Sequence, residues 1–161
     1  MKKGLSEKEL AFISKIELKE RYFFTREDIR NYFNNDNEMN VYIHRLKRKG
    51  RILKINKKKY FLIPIKAVGS KWTEHPFIII DEIMDGKDYC ITGKSATYYW
   101  KLIEQIPFEY DVWNKRIHKK INIFNARLNF RKKRKLPNSI VKKIYNHKFI
   151  IIKKEEAKKW R

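Results

Sequence analysis

The sequence predicts an α+β protein made of two parts. Three short segments before residue 50 carry apolar residues at helical spacing, and two β-prone runs follow them between residues 51 and 64. The second half instead alternates helical segments with short apolar runs typical of strands, which favours a small α+β module with an antiparallel sheet. Pro and Gly gather in "PIKAVGSKWTEHP", residues 64–76, and mark the boundary. We therefore predict domains at 1–66 and 76–161, joined by a linker at 67–75.

Capping signals predict where the first two helices begin. Ser6 is followed three residues later by Glu9, and Thr25 is followed three residues later by Asp28. In each pair the two side chains can cap each other's backbone N–H groups at a helix N-terminus. The predicted apolar face of the second helix consists of Ile29, Tyr32 and Phe33.

A third helix is predicted from about residue 37 to residue 49, followed by Gly50 as its C-terminal stop. The spacing predicts a buried stripe of Met39, Tyr42, Ile43 and Leu46. At 100° per residue, the outer face then carries Asn37, Asn40, Val41, His44, Arg45 and Arg48. The helix is therefore apolar on one side and cationic on the other.

The runs "RILKI" and "YFLIP" flank the polar tip "NKKK" and predict a β-hairpin. The tip has no glycine, so we expect Asn56 to supply a positive φ there. Three short helices followed by a hairpin, with a turn between the second and third helices, are the parts of a winged helix-turn-helix. We predict this fold for residues 1–66.

The charge predicts a polyanionic partner. The 161 residues carry a formal net charge of +22, yet 42% are apolar and 14% aromatic, which is too many for a disordered basic tail. A membrane partner is disfavoured, because the longest aliphatic runs, both "FIII", are far shorter than about 20 residues. A single cysteine, Cys90, and no signal peptide predict a reducing cytoplasm.

Nine lysines and arginines and no acid lie between Arg45 and Lys59. Arginine can bind guanine edges and asparagine adenine edges through two hydrogen bonds, whereas lysine is suited to phosphate. We predict double-stranded DNA contacts from a recognition helix carrying Asn37, Asn40, His44, Arg45 and Arg48. We predict phosphate contacts from a wing carrying Lys54, Lys57, Lys58 and Lys59. The alternative is a solvated cationic face.

In the second half, helices are predicted at 76–84 and 95–104, and strands in "YCIT", "FEYDVW", "INIFNARLNF" and "FIII". The run 130–135 contains five cations, which form either a second phosphate-binding patch or a solvated hairpin end: Arg131, Lys132, Lys133, Arg134 and Lys135. Tyr98, Tyr99 and Trp100 are consecutive on a helix and cannot all point outward, so we predict core packing for them.

Three strings carry a family resemblance: "RLKRKGRILKINKKKYFLIP", "WTEHPFIII" and "DYCITGKSATYYWKLIEQIP". They resemble the AbiEi-type winged-helix antitoxins of type IV toxin-antitoxin operons over roughly residues 5–113. The matching motifs are Trp72 with Pro76, Gly93 with Ser95 and Ala96, and Gln105, Ile106 and Pro107. The resemblance implies a repressor of its own operon that counters a nucleotidyltransferase toxin, not necessarily by direct contact.

No enzyme, metal or cofactor is predicted. "TGKS", residues 92–95, lacks the glycine that a phosphate-binding loop needs five residues before Gly93, where Asp88 stands. The histidines at 44, 75, 118 and 147 lack zinc-site spacing. The acids Asp81, Glu82, Asp85 and Asp88 are expected to balance nearby lysines rather than bind a metal.

The two basic blocks flank an acidic middle, because residues 81–111 hold seven acids and three bases while residues 112–154 hold fifteen bases and no acid. We expect both basic blocks to act on one DNA, either within one chain or in a homodimer on an inverted repeat, and the resemblance implies that this repeat lies in the protein's own promoter. The alternative is a structure-specific nuclease or RNA-processing factor that uses the same basic surface.

Overall fold

The computed structural model describes residues 4–64, 74–123 and 126–160, and the chain divides into two compact units, Met1–Thr73 and Glu74–Arg161. The described residues form an α+β protein with six α-helices, one three-stranded antiparallel sheet and one six-stranded mixed sheet. The predicted linker, residues 67–75, lies outside the described residues except for Glu74 and His75, and Trp72 lies outside them too.

The N-terminal unit alternates helices and short strands. Its elements are α1 (Glu7–Leu18), β1 (Phe23–Thr25), α2 (Arg26–Ile29) with a 3-10 turn (Arg30–Tyr32), α3 (Asp36–Arg48), β2 (Ile52–Lys54) and β3 (Lys59–Leu62). The strand order is β1-β3-β2. The sequence did not predict β1, whose three residues are held by pairing with a distant strand, Phe24 opposite Tyr60.

Both capping boxes are present. The Ser6 hydroxyl accepts a hydrogen bond from Glu9 N at 3.2 Å, and the Glu9 carboxylate accepts one from Ser6 N at 2.8 Å. Thr25 and Asp28 make the same reciprocal pair at 3.3 and 2.8 Å. The second helix begins where the capping box predicts, although it is only four residues long before the 3-10 turn.

The core of this unit joins one face of α1 to one face of α3. Phe12, Ile13 and Ile16 of α1 pack in one cluster with the α3 residues Met39, Ile43 and Leu46. Of the four residues predicted to face inward from the third helix, only Tyr42 is not fully buried. Since α1 covers the apolar side of α3, the opposite side of α3 faces solvent.

The C-terminal unit is a six-stranded sheet with helices packed against it. Its helices are α4 (Pro76–Met84), α5 (Gly93–Tyr99) and α6 (Lys154–Lys158). Its strands are β4 (Tyr89–Thr92), β5 (Glu109–Asn114), β6 (Lys119–Ile123), β7 (Ala126–Lys132), β8 (Ser139–Ile144) and β9 (His147–Ile152). They lie in the order β6-β7-β5-β4-β9-β8.

The antiparallel sheet predicted here is wrong, because β4 pairs with β9, and β5 with β7, in parallel. The run predicted as one strand, "INIFNARLNF", contains the antiparallel pair β6 and β7, and β8 was not predicted. The helix predicted at 95–104 ends at Tyr99, because Lys101 adopts a φ of +58° and Leu102 N returns to hydrogen-bond Thr97 O at 2.9 Å.

Candidate nucleic-acid interface

The outer face of α3 is the first part of the candidate interface. Its residues predicted to face outward are all exposed: Asn37, Asn40, Val41, His44, Arg45 and Arg48. They extend over about 16 Å, because an α-helix rises about 1.5 Å per residue. The structure therefore places the five predicted DNA-contacting side chains of the recognition helix on one continuous solvent-facing strip, with Lys47 exposed beside them.

Contacts at the N-terminus of α3 leave this strip polar and cationic rather than acidic. Asp36 forms an ion pair with Arg30 at 2.6 Å, and the carboxylate of Glu38 accepts a hydrogen bond from Asn34 N at 2.8 Å. Asn35 caps the helix by accepting from Glu38 N at 2.9 Å. Both acids therefore have partners that precede the helix: Asp36 pairs with Arg30 of the 3-10 turn, and Glu38 accepts from Asn34.

Asn56 organises the hairpin tip between β2 and β3 in a way that differs from the prediction. Its side-chain oxygen accepts hydrogen bonds from the backbone N–H groups of Lys58 at 2.9 Å and Lys59 at 2.8 Å. Asn56 is absent from the described residues with positive φ, so the expected left-handed conformation is wrong. The side chain instead replaces a backbone acceptor, as asparagine commonly does in turns.

The nine cations from Arg45 to Lys59 divide into two groups. Lys49 contacts the buried Glu9 carboxylate at 2.5 Å and Gly4 O at 3.0 Å, and Arg51 donates to Ile63 O at 3.0 Å and Pro64 O at 2.8 Å. Of the predicted wing cations, Lys54, Lys57 and Lys58 are exposed, while Lys59 is half-buried. Six of the nine are exposed and can reach a ligand: Arg45, Lys47, Arg48, Lys54, Lys57 and Lys58.

The second predicted patch lies in the other unit. Arg131 and Lys132 end β7 beside Trp113 and Asn114 of β5, and all five cations of the patch are exposed: Arg131, Lys132, Lys133, Arg134 and Lys135. The ammonium of Lys133 lies 4.7 Å from the centre of the Trp113 ring. The patch is thus a cationic cluster at the C-terminal end of the inner strand β7, with one aromatic ring beside it.

The C-terminal acids have partners that the sequence did not indicate. Asp81 accepts from the buried Tyr89 hydroxyl at 2.7 Å and lies 2.9 Å from His147 Nε2. Glu82 lies 3.6 Å from the same histidine, and Asp85 lies 3.9 Å from Arg116, so the partners of these acids include a histidine and an arginine. In the described ranges, His, Cys, Asp and Glu side chains form no cluster of three that could hold a metal ion.

The three consecutive aromatic residues at the C-terminal end of α5, Tyr98, Tyr99 and the capping residue Trp100, differ in environment. Tyr99 packs against Phe149 and Phe77, and Trp100 donates a hydrogen bond to Ile152 O at 2.8 Å. Tyr98 is exposed, so the prediction of core packing is wrong for this residue. The hydrophobic pattern of the sequence did not indicate which of the three residues is buried. The rings that pack against Tyr99 belong to distant elements, Phe77 to α4 and Phe149 to β9.

Comparison with known proteins identifies no family for this chain. No protein-family model matches the chain, and no curated protein matches it significantly. Across the part of the chain that the structure describes, no helix has the length and apolar character needed to cross a lipid bilayer.

Proposed function

We propose that this protein is a sequence-specific DNA-binding transcriptional regulator whose N-terminal unit is a winged helix-turn-helix. The observation that carries the proposal is the two-sided character of α3, which is buried against α1 on one side and presents an exposed strip of amide, imidazole and guanidinium groups on the other. The element order, with a two-stranded hairpin after the third helix, supports the same assignment.

The geometry of the hydrogen-bond donors supports different roles for the α3 side chains and the hairpin lysines. Arg45 and Arg48 present forked donors that suit O6 and N7 of guanine, and Asn37 and Asn40 suit N6 and N7 of adenine. The ammonium groups of Lys57 and Lys58 at the hairpin tip lack that fork and suit backbone phosphates. Base contacts from α3 thus specify the site, while wing contacts hold the unit on the duplex.

We propose further that the protein represses its own operon from an inverted repeat, either as one chain or as a homodimer, and acts in the cytoplasm. Repression of its own operon rests on the resemblance of residues 5–113 to AbiEi-type antitoxins, and the cytoplasmic location rests on the single cysteine, Cys90. A functional link to a nucleotidyltransferase toxin rests on the same resemblance. This link does not require direct contact between the two proteins. The observed geometry of α3 and the hairpin supports DNA binding independently of it.

Selection of binding sites from random duplexes tests the proposal. The full chain is expected to enrich one motif, to protect it from nuclease digestion upstream of its own gene, and to leave the duplex intact. Consumption of labelled DNA or RNA with magnesium would instead favour the structure-specific nuclease or RNA-processing factor. Retention of all sequences equally, without cutting, would contradict sequence-specific regulation.

A pair of substitutions separates base reading from phosphate binding. Replacing Arg48 with alanine is expected to weaken binding to the selected site by about 1–3 kcal/mol and to relax preference at one position, because a bidentate base contact is lost. Replacing Lys58 with alanine is expected to weaken selected and scrambled duplexes about equally. Titrations of both duplexes by both variants provide the measurement, and equal losses for Arg48→Ala on the two duplexes would remove its base-reading role.

A further inference from the structure

A cavity in the C-terminal unit, of about 600 Å³, has five aromatic side chains among its ten lining residues, counting His75. His75 and Phe77 contribute from the start of α4, Tyr98 and Tyr99 from α5, and Tyr110 from β5. The volume lies within the range of about 300–1,000 Å³ typical of small-molecule sites. Three separate elements therefore converge on a space large enough for a ligand.

The aromatic rings that line the cavity differ in their exposure. Phe77 is 4% exposed, and its ring centre lies 5.9 Å from that of Tyr99 and 6.0 Å from that of Tyr110. Tyr98, in contrast, is 38% exposed although it is a large aromatic residue on a helix. These positions give the cavity a fixed aromatic floor at Phe77 and a more accessible aromatic side chain at Tyr98.

Polar groups with unused hydrogen-bonding capacity line the same space. His75 Nδ1 accepts a hydrogen bond from Phe77 N at 3.1 Å, and burial lowers the pKa of His75, so the neutral ring carries its proton on Nε2. Burial also raises the pKa of Tyr99, and burial together with the nearby Tyr98 raises the pKa of Tyr110, so both phenols stay protonated. Among residues 4–64, 74–123 and 126–160, none donates to or accepts from His75 Nε2 or these two hydroxyls.

Charge indicates what kind of aromatic ligand would fit. Lys101 and Glu104 both line the cavity and have opposite charges, so its lining is close to neutral. Residues 81–111, which supply eight of the ten lining residues, include seven acids and three bases, whereas residues 112–154 include fifteen bases and no acid. A phosphate backbone is drawn to the second stretch rather than to the first, which disfavours an unstacked base of a nucleic-acid strand as the occupant.

We propose that this cavity binds an uncharged, planar aromatic heterocycle of nucleoside size. Stacking on Tyr98 and the neighbouring rings provides the contact area, and His75 Nε2–H and the hydroxyls of Tyr99 and Tyr110 fix its orientation. The site lies within the C-terminal unit and its occupancy does not depend on whether the N-terminal unit binds DNA.

Titration of the full chain into 2-aminopurine riboside tests the site, because stacking quenches this fluorescent, uncharged nucleoside. Saturable quenching is expected, reversed by at least one of adenosine, guanosine, cytidine or uridine. Tyr98→Ala is expected to weaken binding about ten-fold through loss of a stacking partner, and Tyr98→Phe to retain it. The matched control is Tyr145→Ala, since Tyr145 is an 84% exposed tyrosine on the β8–β9 turn and does not line the cavity.

Four outcomes would overturn the proposal. Absence of quenching and of competition at millimolar nucleoside would mean that the cavity holds no such ligand. Adenosine monophosphate binding far more tightly than adenosine would contradict an uncharged ligand. Competition by a single-stranded oligonucleotide but by no free nucleoside would assign the cavity to an unstacked base. A concentration-dependent dimer in sedimentation, abolished by Tyr98→Ala, together with absent nucleoside binding, would assign it to a second copy of the chain.

Discussion

Replacing Glu9 with alanine is expected to lower the free energy of unfolding of the N-terminal unit by about 3 kcal/mol, because breaking a buried ion pair leaves the other charge without its partner. Glu9 is 1% exposed, and its carboxylate contacts Lys49 Nζ at 2.5 Å and Ser6 N at 2.8 Å. Lys49, in turn, is only 18% exposed. The pair joins the start of α1 to the end of α3, so the loss affects the two helices that form the core.

Urea unfolding followed by pulsed hydrogen exchange and mass spectrometry measures this effect, since peptides from the two units are resolved separately. Peptides from α1 and α3 should lose protection at lower urea in Glu9→Ala, while peptides from the C-terminal sheet should be unchanged. Glu7→Ala is the matched control, because Glu7 is an exposed acid in the same first turn and is expected to contribute only about 0.3–1 kcal/mol through the helix dipole. Equal effects of the two substitutions would contradict a stabilising role for the Glu9–Lys49 pair.

The lowered pKa of the Glu9 carboxylate predicts that the N-terminal unit loses stability in acid. Burial alone would raise the pKa of Glu9, but the hydrogen bond from Lys49 and the hydrogen bond from Ser6 N hold it below its ordinary value of 4.5. The unfolded chain therefore binds a proton more readily than the folded chain, so this part of the stability is present above about pH 4.5 and is lost as pH falls through the lower folded pKa. Glu9→Gln should flatten the pH dependence of unfolding in that window.

Features that depend on neighbours in sequence were predictable. Ser6 with Glu9 and Thr25 with Asp28 define two helix starts because a capping box needs only four consecutive residues. The exposed and buried sides of α3 follow from its helical period, which places Met39, Ile43 and Leu46 on one side without reference to the rest of the chain.

Features that depend on distant partners were not predictable in the same way. Strand β1 has three residues and exists through its pairing with β3, and the parallel pairing of β5 with β7 depends on strand order rather than on local pattern. Within the candidate interface, sequence could not separate Lys49, which is engaged by Glu9 forty residues away, from the exposed Arg48 next to it. Charge counts overestimate the available cations for that reason.

Affinity for the selected duplex is expected to fall steeply with salt. If all four exposed lysines between Arg45 and Lys59 contact phosphate, the logarithm of the association constant should fall against the logarithm of salt concentration with a slope of roughly −4 per N-terminal unit. A slope of this size corresponds to about a two-hundred-fold loss of affinity between 50 and 200 mM salt, and a symmetric dimer would give nearly twice the slope. Titrations at several salt concentrations provide the measurement.

The double substitution Lys57→Gln and Lys58→Gln should make that slope shallower by about 2, because each exposed tip lysine on a phosphate releases about 0.9 counterions. The double substitution Lys8→Gln and Lys15→Gln is the matched control, because both lysines are exposed on α1, which packs on the buried side of α3. It removes the same charge and is expected to leave the slope unchanged. Circular dichroism of both variants controls for altered folding, since reducing a net charge of +22 relieves self-repulsion in either one. A slope for the tip variant equal to that of the parent would mean that the hairpin points away from the DNA and that Lys57 and Lys58 form only a solvated surface.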